Sequence, residues 1–353
     1  MAFDASGHIA GHPVHLVSGG CGFVGRHLVQ RLLMRADVKA GAAVVVVDDL
    51  STGQDPAQWL SDPEGRVKFV RQDFRAFLRT MGETADPIRT VLGLDAEKFT
   101  DVYHFAAIVG GRVKIDGDPM AVAVDLAIDA ELFAWVVRHR PARVLYPSSS
   151  AAYPISLQAE SGAIALPESA IPLSTDGRIT GNLGQPDMTY GWSKLTGEYL
   201  ARIAAAHYGL HVACVRPFSG YGEDQDLSYP IPAIALRAAR REDPFEVWGT
   251  GHQGRDFVHI DDCIDAIELA MDKISDGSAI NIGSGRLTSF REIIALMTEF
   301  AGYAPEIKAL VDKPVGVHSR YAEPSHAASL GFTPKVSLRE GMRRVYDAAV
   351  ARG

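Results

Sequence analysis

The chain has 353 residues, 47% of them apolar, and a formal charge of −8. That length and composition suit one large or two linked domains with sizeable cores, and the acidic balance excludes a general nucleic-acid or membrane-surface binder, which needs a basic footprint. No apolar run approaches the roughly 20 residues that span a bilayer, the opening MAFDASGHIAGH has no secretory apolar stretch, and Cys21, Cys214 and Cys263 are too scattered for a disulfide framework or a zinc site. The expectation is a cytoplasmic protein without metal.

In chain order, PVHLVSG (13–19) reads as a strand and is followed by a helix from Phe23 to about Arg35. The unbroken β-branched run AAVVVVDD (42–49) predicts a strand buried on both faces. VKFVRQD (67–73), DVYHFAA (101–107) and RVLYPSSS (143–150) follow as strands, with a helical stretch over 119–139 before the last of them. A helix over 189–208 and the strand HVACVRP (211–217) continue the alternation. Strand alternating with helix predicts an α/β, Rossmann-type, doubly wound parallel sheet.

Past Pro217 the elements shorten, Gly and Pro rise, and helices over 289–301 and 337–350 predict a smaller C-terminal α/β substrate lobe. The boundaries are 1–217 for the first domain and 218–353 mainly for the second, with parts of about 255–285 returning to the first sheet. The stretch 155–188 has weak periodicity, and so long an irregular loop is usually functional or mobile.

Gly19, Gly22 and Gly25 form G-x-x-G-x-x-G between the first strand and its helix. Glycines there let the backbone approach a pyrophosphate at a helix N-terminus. The second strand ends in Asp48, 23 residues after Gly25, placed to accept ribose hydroxyls and to repel a 2′-phosphate. With Asp49 beside it and no arginine, the cofactor expected is NAD.

Tyr190 and Lys194 in TYGWSK lie four residues apart, on one face of a predicted helix, and YPSSSAAY ends the fifth strand at the sheet edge where ligands bind. In order along the chain, the glycine loop, Asp48, RQD, HFAA (104–107), the serine run, Y-x-x-x-K, WGTGHQGRDFVHIDD (248–262) and NIGSG (281–285) resemble the extended short-chain dehydrogenase/reductase family. The nucleotide-sugar epimerases and dehydratases are the nearest group.

The resemblance implies Tyr190 as the base on a sugar hydroxyl, Lys194 as the ammonium that favours its phenolate, and Ser149, four residues before Tyr153, as the hydrogen-bond donor to the reacting oxygen. It implies an NAD site built from Gly19, Gly22, Phe23, Val24, Gly25, Asp48, Asp73, Phe74, Phe105, Ala106, Ala107, Tyr190, Lys194 and Phe218. Substrate contacts fall to Gly110, Arg112, Ser149, Ser150, Ser219, Arg255 and Arg320, with the two late arginines on the diphosphate.

Ser150 and Ala151 stand where dehydratases of the family carry an Asp-Glu pair, which argues against water loss. AAIVGGR (106–112) and SSSAAYP resemble GDP-mannose 3,5-epimerases and GDP-fucose synthases, yet Ala151 stands where those enzymes have a cysteine. Asp125 and Ser219 depart from asparagines of the family. The expected reaction is therefore NAD-dependent 4-epimerisation of a nucleotide-diphosphate sugar; an NAD(P)H-dependent 4-keto-sugar reductase and a GDP-sugar 3,5-epimerase are the alternatives. The family also implies a homodimer through the Y-x-x-x-K helix, where Leu195, Tyr199, Leu200 and Ile203 recur at helical spacing.

Overall fold

The computed structural model describes residues 12–108, 110 and 112–353. Seven parallel strands form one sheet: β1 (Val14–Ser18), β2 (Ala43–Asp48), β3 (Val67–Arg71), β4 (Asp101–His104), β5 (Arg143–Pro147), β6 (Val212–Pro217) and β7 (Asp276–Ile282). Their spatial order is β7-β6-β5-β4-β1-β2-β3. The run of valines in β2 has a direct reading. Val44 and Val46 enter one hydrophobic cluster and Val45 and Val47 the other, so every position of the strand is interior.

Helices cover both faces. Helix α1 (Phe23–Met34) lies on one face, and α2 (Phe74–Glu83), α3 (Val124–His139) and α4 (Met188–Tyr208) lie on the other. Three later helices, α5 (Pro230–Ala239), α7 (Phe290–Ala301) and α8 (Leu338–Ala351), pack around Phe245, Val247 and Phe257 in a separate cluster. Between α5 and α7 the chain returns to the main sheet: α6 (Ile260–Lys273) packs beside α1, and β7 becomes the edge strand. Among the described residues no helix is long and apolar enough to cross a membrane.

Residues 155–188 have more order than their sequence suggests. They form short 3₁₀ turns, bury Leu166 and Ile171 against Ala152, Tyr153 and Leu195, and pair backbone at Leu166 with Tyr321 and Glu323. Helix α5 goes unforeseen because Pro230 and Pro232 read as breakers; Pro230 occupies the first helical turn, where a missing N–H costs nothing.

At the N-terminal ends of the strands, opposite the glycine loop, buried Asp101 ties three central strands together. Arg143 of β5 donates to it at 2.7 Å, and the His15 ring of β1 lies 3.0 Å away. Arg143 also reaches Asp272 of α6 at 3.0 Å. Burial alone would raise the Asp101 pKa, but His15 and Arg143 outweigh it and bring it down to about 2. A carboxylate held below its unfolded value stabilises the fold above that value and loses this contribution as pH falls towards the folded one. The unfolding free energy read from urea titrations should therefore fall between about pH 4 and pH 2, by on the order of 2 kcal/mol. Asp101→Asn should flatten this acid limb; an unchanged limb in a folded variant would show that Asp101 does not set it.

Candidate active site

Strand order reverses between β1 and β4, and the crevice at their C-terminal ends is where an open α/β sheet takes its ligand. Gly19 leaves β1 with φ +64°, and a Cβ there would lie 2.5 Å from the Phe105 carbonyl carbon at the exit of β4. A Cβ on Gly25 would collide with the Gly19 carbonyl. The loop is thus folded on itself and pressed against Phe105 and Ala106 through glycine alone.

Gly22 is the N-cap of α1 and offers no side-chain cap, and no acidic residue occupies the first turn. Helices α7 and α8, by contrast, are capped by Ser289 and Ser337. The leading N–H groups of α1, on Phe23, Val24 and Gly25, have no intrahelical acceptors, so the cradle fits a pyrophosphate. Asp48 is buried beside it. Its Oδ2 accepts from Cys21 N–H and its Oδ1 from Leu50 N–H, both at 2.9 Å, which fixes the carboxylate yet leaves lone pairs for a ribose.

Asp73 has a structural task as the N-cap of α2, accepting from Ala76 N–H at 3.0 Å, and it pairs with Arg75. The Phe74 ring is committed to the core against Phe77 and His104, so only backbone at this position can face a ligand. Phe105, Ala106, Ala107 and Gly110 are half-buried at the exit of β4, and Phe218 packs against Tyr153. Arg112 begins a short helix, Arg112–Gly117, and its side chain lies outside the described residues.

The serine segment turns immediately onto α4. Ser149 caps the short turn Ser150–Ala152, accepting from Ala151 N–H at 3.1 Å. The Ala151 carbonyl in turn accepts from Asp187 N–H at 2.9 Å, and a Cβ on Gly191 would strike that carbonyl. This contact seats Ser149 beside the turn of helix that carries Tyr190. The three serines are not equivalent. Ser148 Oγ donates to Glu198 within a buried group completed by Arg216, while Ser149 keeps its own proton free of any protein acceptor among the described residues. Ser150 is buried in the turn.

Lys194 is buried and lies between two aromatic rings, its Nζ 5.8 Å from the Tyr190 centroid and 5.4 Å from that of Tyr146. Burial disfavours its ammonium, but Asp129, Tyr190 and Asp125 together more than compensate, and the pKa is raised. Asp125 itself is buried and accepts from Ile108 N–H at 2.6 Å.

Two late segments meet in a small sheet of their own. Gly254–Arg255 and Ser319–Arg320 are paired parallel strands in which Arg255 and Arg320 stand directly opposite each other. Arg320 donates to Asp187 at 2.7 Å, just ahead of the Tyr190 turn, and Arg255 donates to the Gly254 and Val315 carbonyls. Ser219 opens a short strand, Ser219–Tyr221, and donates its N–H to the Asp256 carbonyl.

Three contributors escape sequence reasoning. Gly191 and Gly197 are helix-interior glycines, a visible oddity; a Cβ on Gly197 would strike the Tyr146 hydroxyl. Tyr229 has no sequence signal, and its phenol is pushed up to about 12 by burial and then by the charge of Tyr190.

Replacing an exposed helical glycine by alanine ordinarily stabilises by about 1 kcal/mol. Gly191→Ala should do the opposite, lowering the melting temperature through overpacking of about 1–3 kcal/mol. Turnover should fall more steeply as the Ser149 turn is pushed off α4. A variant that is more stable and fully active would contradict the seating.

The model of the NAD dependent epimerase/dehydratase family matches residues 15–283. The chain is 28% identical to GDP-L-fucose synthase 1 of Arabidopsis thaliana over 76% of its own length and 86% of the relative's. It is 26% identical to a putative UDP-glucose 4-epimerase of Methanocaldococcus jannaschii, over 94% and 97%. Among solved structures, it superposes on the UDP-glucose 4-epimerase of Thermotoga maritima bound to UDP-glucose with a TM-score of 0.77, 26% identity and 96% and 98% coverage. For MoeE5 bound to UDP-glucuronic acid and NAD the values are 0.71, 27%, 96% and 99%. Fold and family match agree, and the chain belongs to the NAD dependent epimerase/dehydratase family.

Proposed function

We propose that this enzyme is a nucleotide-sugar 4-epimerase. The observation that supports the reading is the seating of the Ala151 carbonyl between Asp187 N–H and Gly191, which sets the Ser149 turn against the helix that carries Tyr190 and Lys194. In this reading Tyr190 takes the proton of the sugar 4-hydroxyl and later returns it. The Lys194 ammonium, 5.8 Å from the Tyr190 ring centroid, sets a positive charge beside the group that gives and takes the proton. Ser149 donates its free proton to the reacting oxygen.

NAD held in the crevice would supply hydride acceptance and return at the sugar carbon. The Gly19–Gly25 loop and the uncapped start of α1 hold its pyrophosphate, and Asp48 holds a ribose. The exit of β4, the backbone at Asp73 and Phe74, and Phe218 line the remainder. Arg255 and Arg320, side by side, grip the diphosphate of the sugar nucleotide, with Gly110, Arg112, Ser150 and Ser219 towards the sugar. Ser150 and Ala151 carry no acid or base, which supports 4-epimerisation over dehydration or 3,5-epimerisation.

The likeness to GDP-L-fucose synthase favours one rival, a reductase of a 4-keto sugar nucleotide using a diffusible cofactor. A homodimer through α4 is part of the proposal. Its exposed aromatic residues are Trp192, Tyr199 and Tyr208, whereas Leu195 is buried beside Tyr153 and Leu200 packs against the core under the sheet.

Denaturing the purified protein should release about one NAD per chain. Native enzyme should convert a nucleotide sugar to its 4-epimer without added cofactor. An empty site with turnover only on added NAD(P)H would replace the epimerase by the reductase. Tyr190→Phe should keep its NAD while kcat falls by about 10²–10⁴; a smaller loss would remove Tyr190 from the proton transfer.

A further inference from the structure

Beneath Lys194 lies a closed chain of buried polar groups that the reaction as described does not use. Ala106 N–H meets Ser18 Oγ at 3.3 Å, and Ser18 Oγ lies 2.8 Å from His104 Nδ1. His104 Nε2 lies 3.1 Å from Asp129 Oδ1, and the Tyr146 hydroxyl donates to Asp129 Oδ2 at 2.6 Å. Ser18, His104, Asp129 and Tyr146 are all buried, on three strands and one helix. One direction of donation satisfies every member: Ser18 O–H to Nδ1, Nε2–H to Asp129, and Tyr146 O–H to Asp129. With the imidazole neutral, Asp129 keeps a full negative charge for which the chain holds no cation. The nearby cation is Lys194, on the face of the same Tyr146 ring whose hydroxyl Asp129 holds.

We infer that Asp129 is a positioning residue, which through the Tyr146 ring fixes the Lys194 ammonium in its charged form facing Tyr190. This rests on the reading of Tyr190 and Lys194 given above. The rings of Tyr146 from β5 and Tyr190 from its own helix flank Lys194, and the charges that act on it are those of Asp129 and Asp125 from α3 and of His104 from β4. Asp129 is held below the ordinary carboxylate range despite its burial, through His104, Lys194 and Tyr146. The chain also begins at Ala106, at the rim of the nucleotide crevice, so the ammonium and that rim share one scaffold.

The test is a direct titration of Lys194 by NMR of ε-¹³C-lysine-labelled protein, assigned with Lys194→Arg, which needs neither substrate nor a known reaction. In Asp129→Asn the Lys194 ionisation constant should rise by about tenfold or more, and the alkaline limb of kcat should move to lower pH by the same factor. Tyr146→Phe, which keeps the ring but loses the 2.6 Å bond, should shift both in the same direction by less, and it provides the test if Asp129→Asn does not fold. A role in fold stability alone would lower the melting temperature and leave the Lys194 titration in place, and that result would overturn the proposal. A shifted titration in a protein that epimerises no sugar would keep Asp129 as the Lys194 positioner while removing the 4-epimerase reading.

Discussion

Everything at this site depends on how closely two stretches of backbone approach. Gly19 lies against the exit of β4 with no room for a Cβ, and Gly25 lies against Gly19. A side chain at either position would lift the loop from the sheet and turn the start of α1 away from the crevice. The same device recurs at Gly191 and Gly197, where α4 settles onto the Ala151 carbonyl and the Tyr146 hydroxyl. The polar machinery is therefore aligned by four absences of a side chain rather than by flexible reach. That suits chemistry in which an error of about an ångström in placement costs orders of magnitude in rate.

Helix α4 and the sheet beneath it are joined by charge as well as by packing. Buried Arg216 clamps Glu198 of α4 and donates to the Tyr153 hydroxyl at 2.9 Å and to the Glu168 carbonyl. The Tyr153 hydroxyl meets Asn281 of β7 at 2.8 Å, and Asn281 also reaches the Leu166 carbonyl. Residues 155–188 are thereby bound to α4 and to the sheet edge. Buried ionic groups of this sort add little net stability over apolar packing but strongly penalise alternative arrangements, because breaking one leaves a charge stranded.

Much of this was legible in the residues, and the reasons are specific. The valines of β2 can be satisfied only between two cores, and three glycines followed by Asp48 at the next strand end have few other uses. Arg255 and Arg320 are 65 residues apart in sequence yet become register partners, and only motif context pointed to both. Other features could not be read because side-chain direction is decided by tertiary packing. Phe74 sits in a cofactor motif but turns its ring into the core. Ser148 and Ser149 are chemically identical until Glu198 claims one of them. Asp129 looks like any acidic residue of an amphipathic helix until His104 and Tyr146 close on it.

The position of β7 has a consequence for the order of events during synthesis. Six of the seven strands are complete by Pro217, but β6 then presents an open hydrogen-bonding edge, and the α1 face lacks the α6 residues that cover it. Neither gap closes until the ribosome has delivered residues 260–282, after α5 and the strands around Phe245 and Phe257 have emerged. An unpaired edge is an invitation to wrong partners. The nearly finished sheet therefore waits for a segment delivered from beyond the second cluster's first elements, and that cluster is itself completed later still, when α7 and α8 arrive.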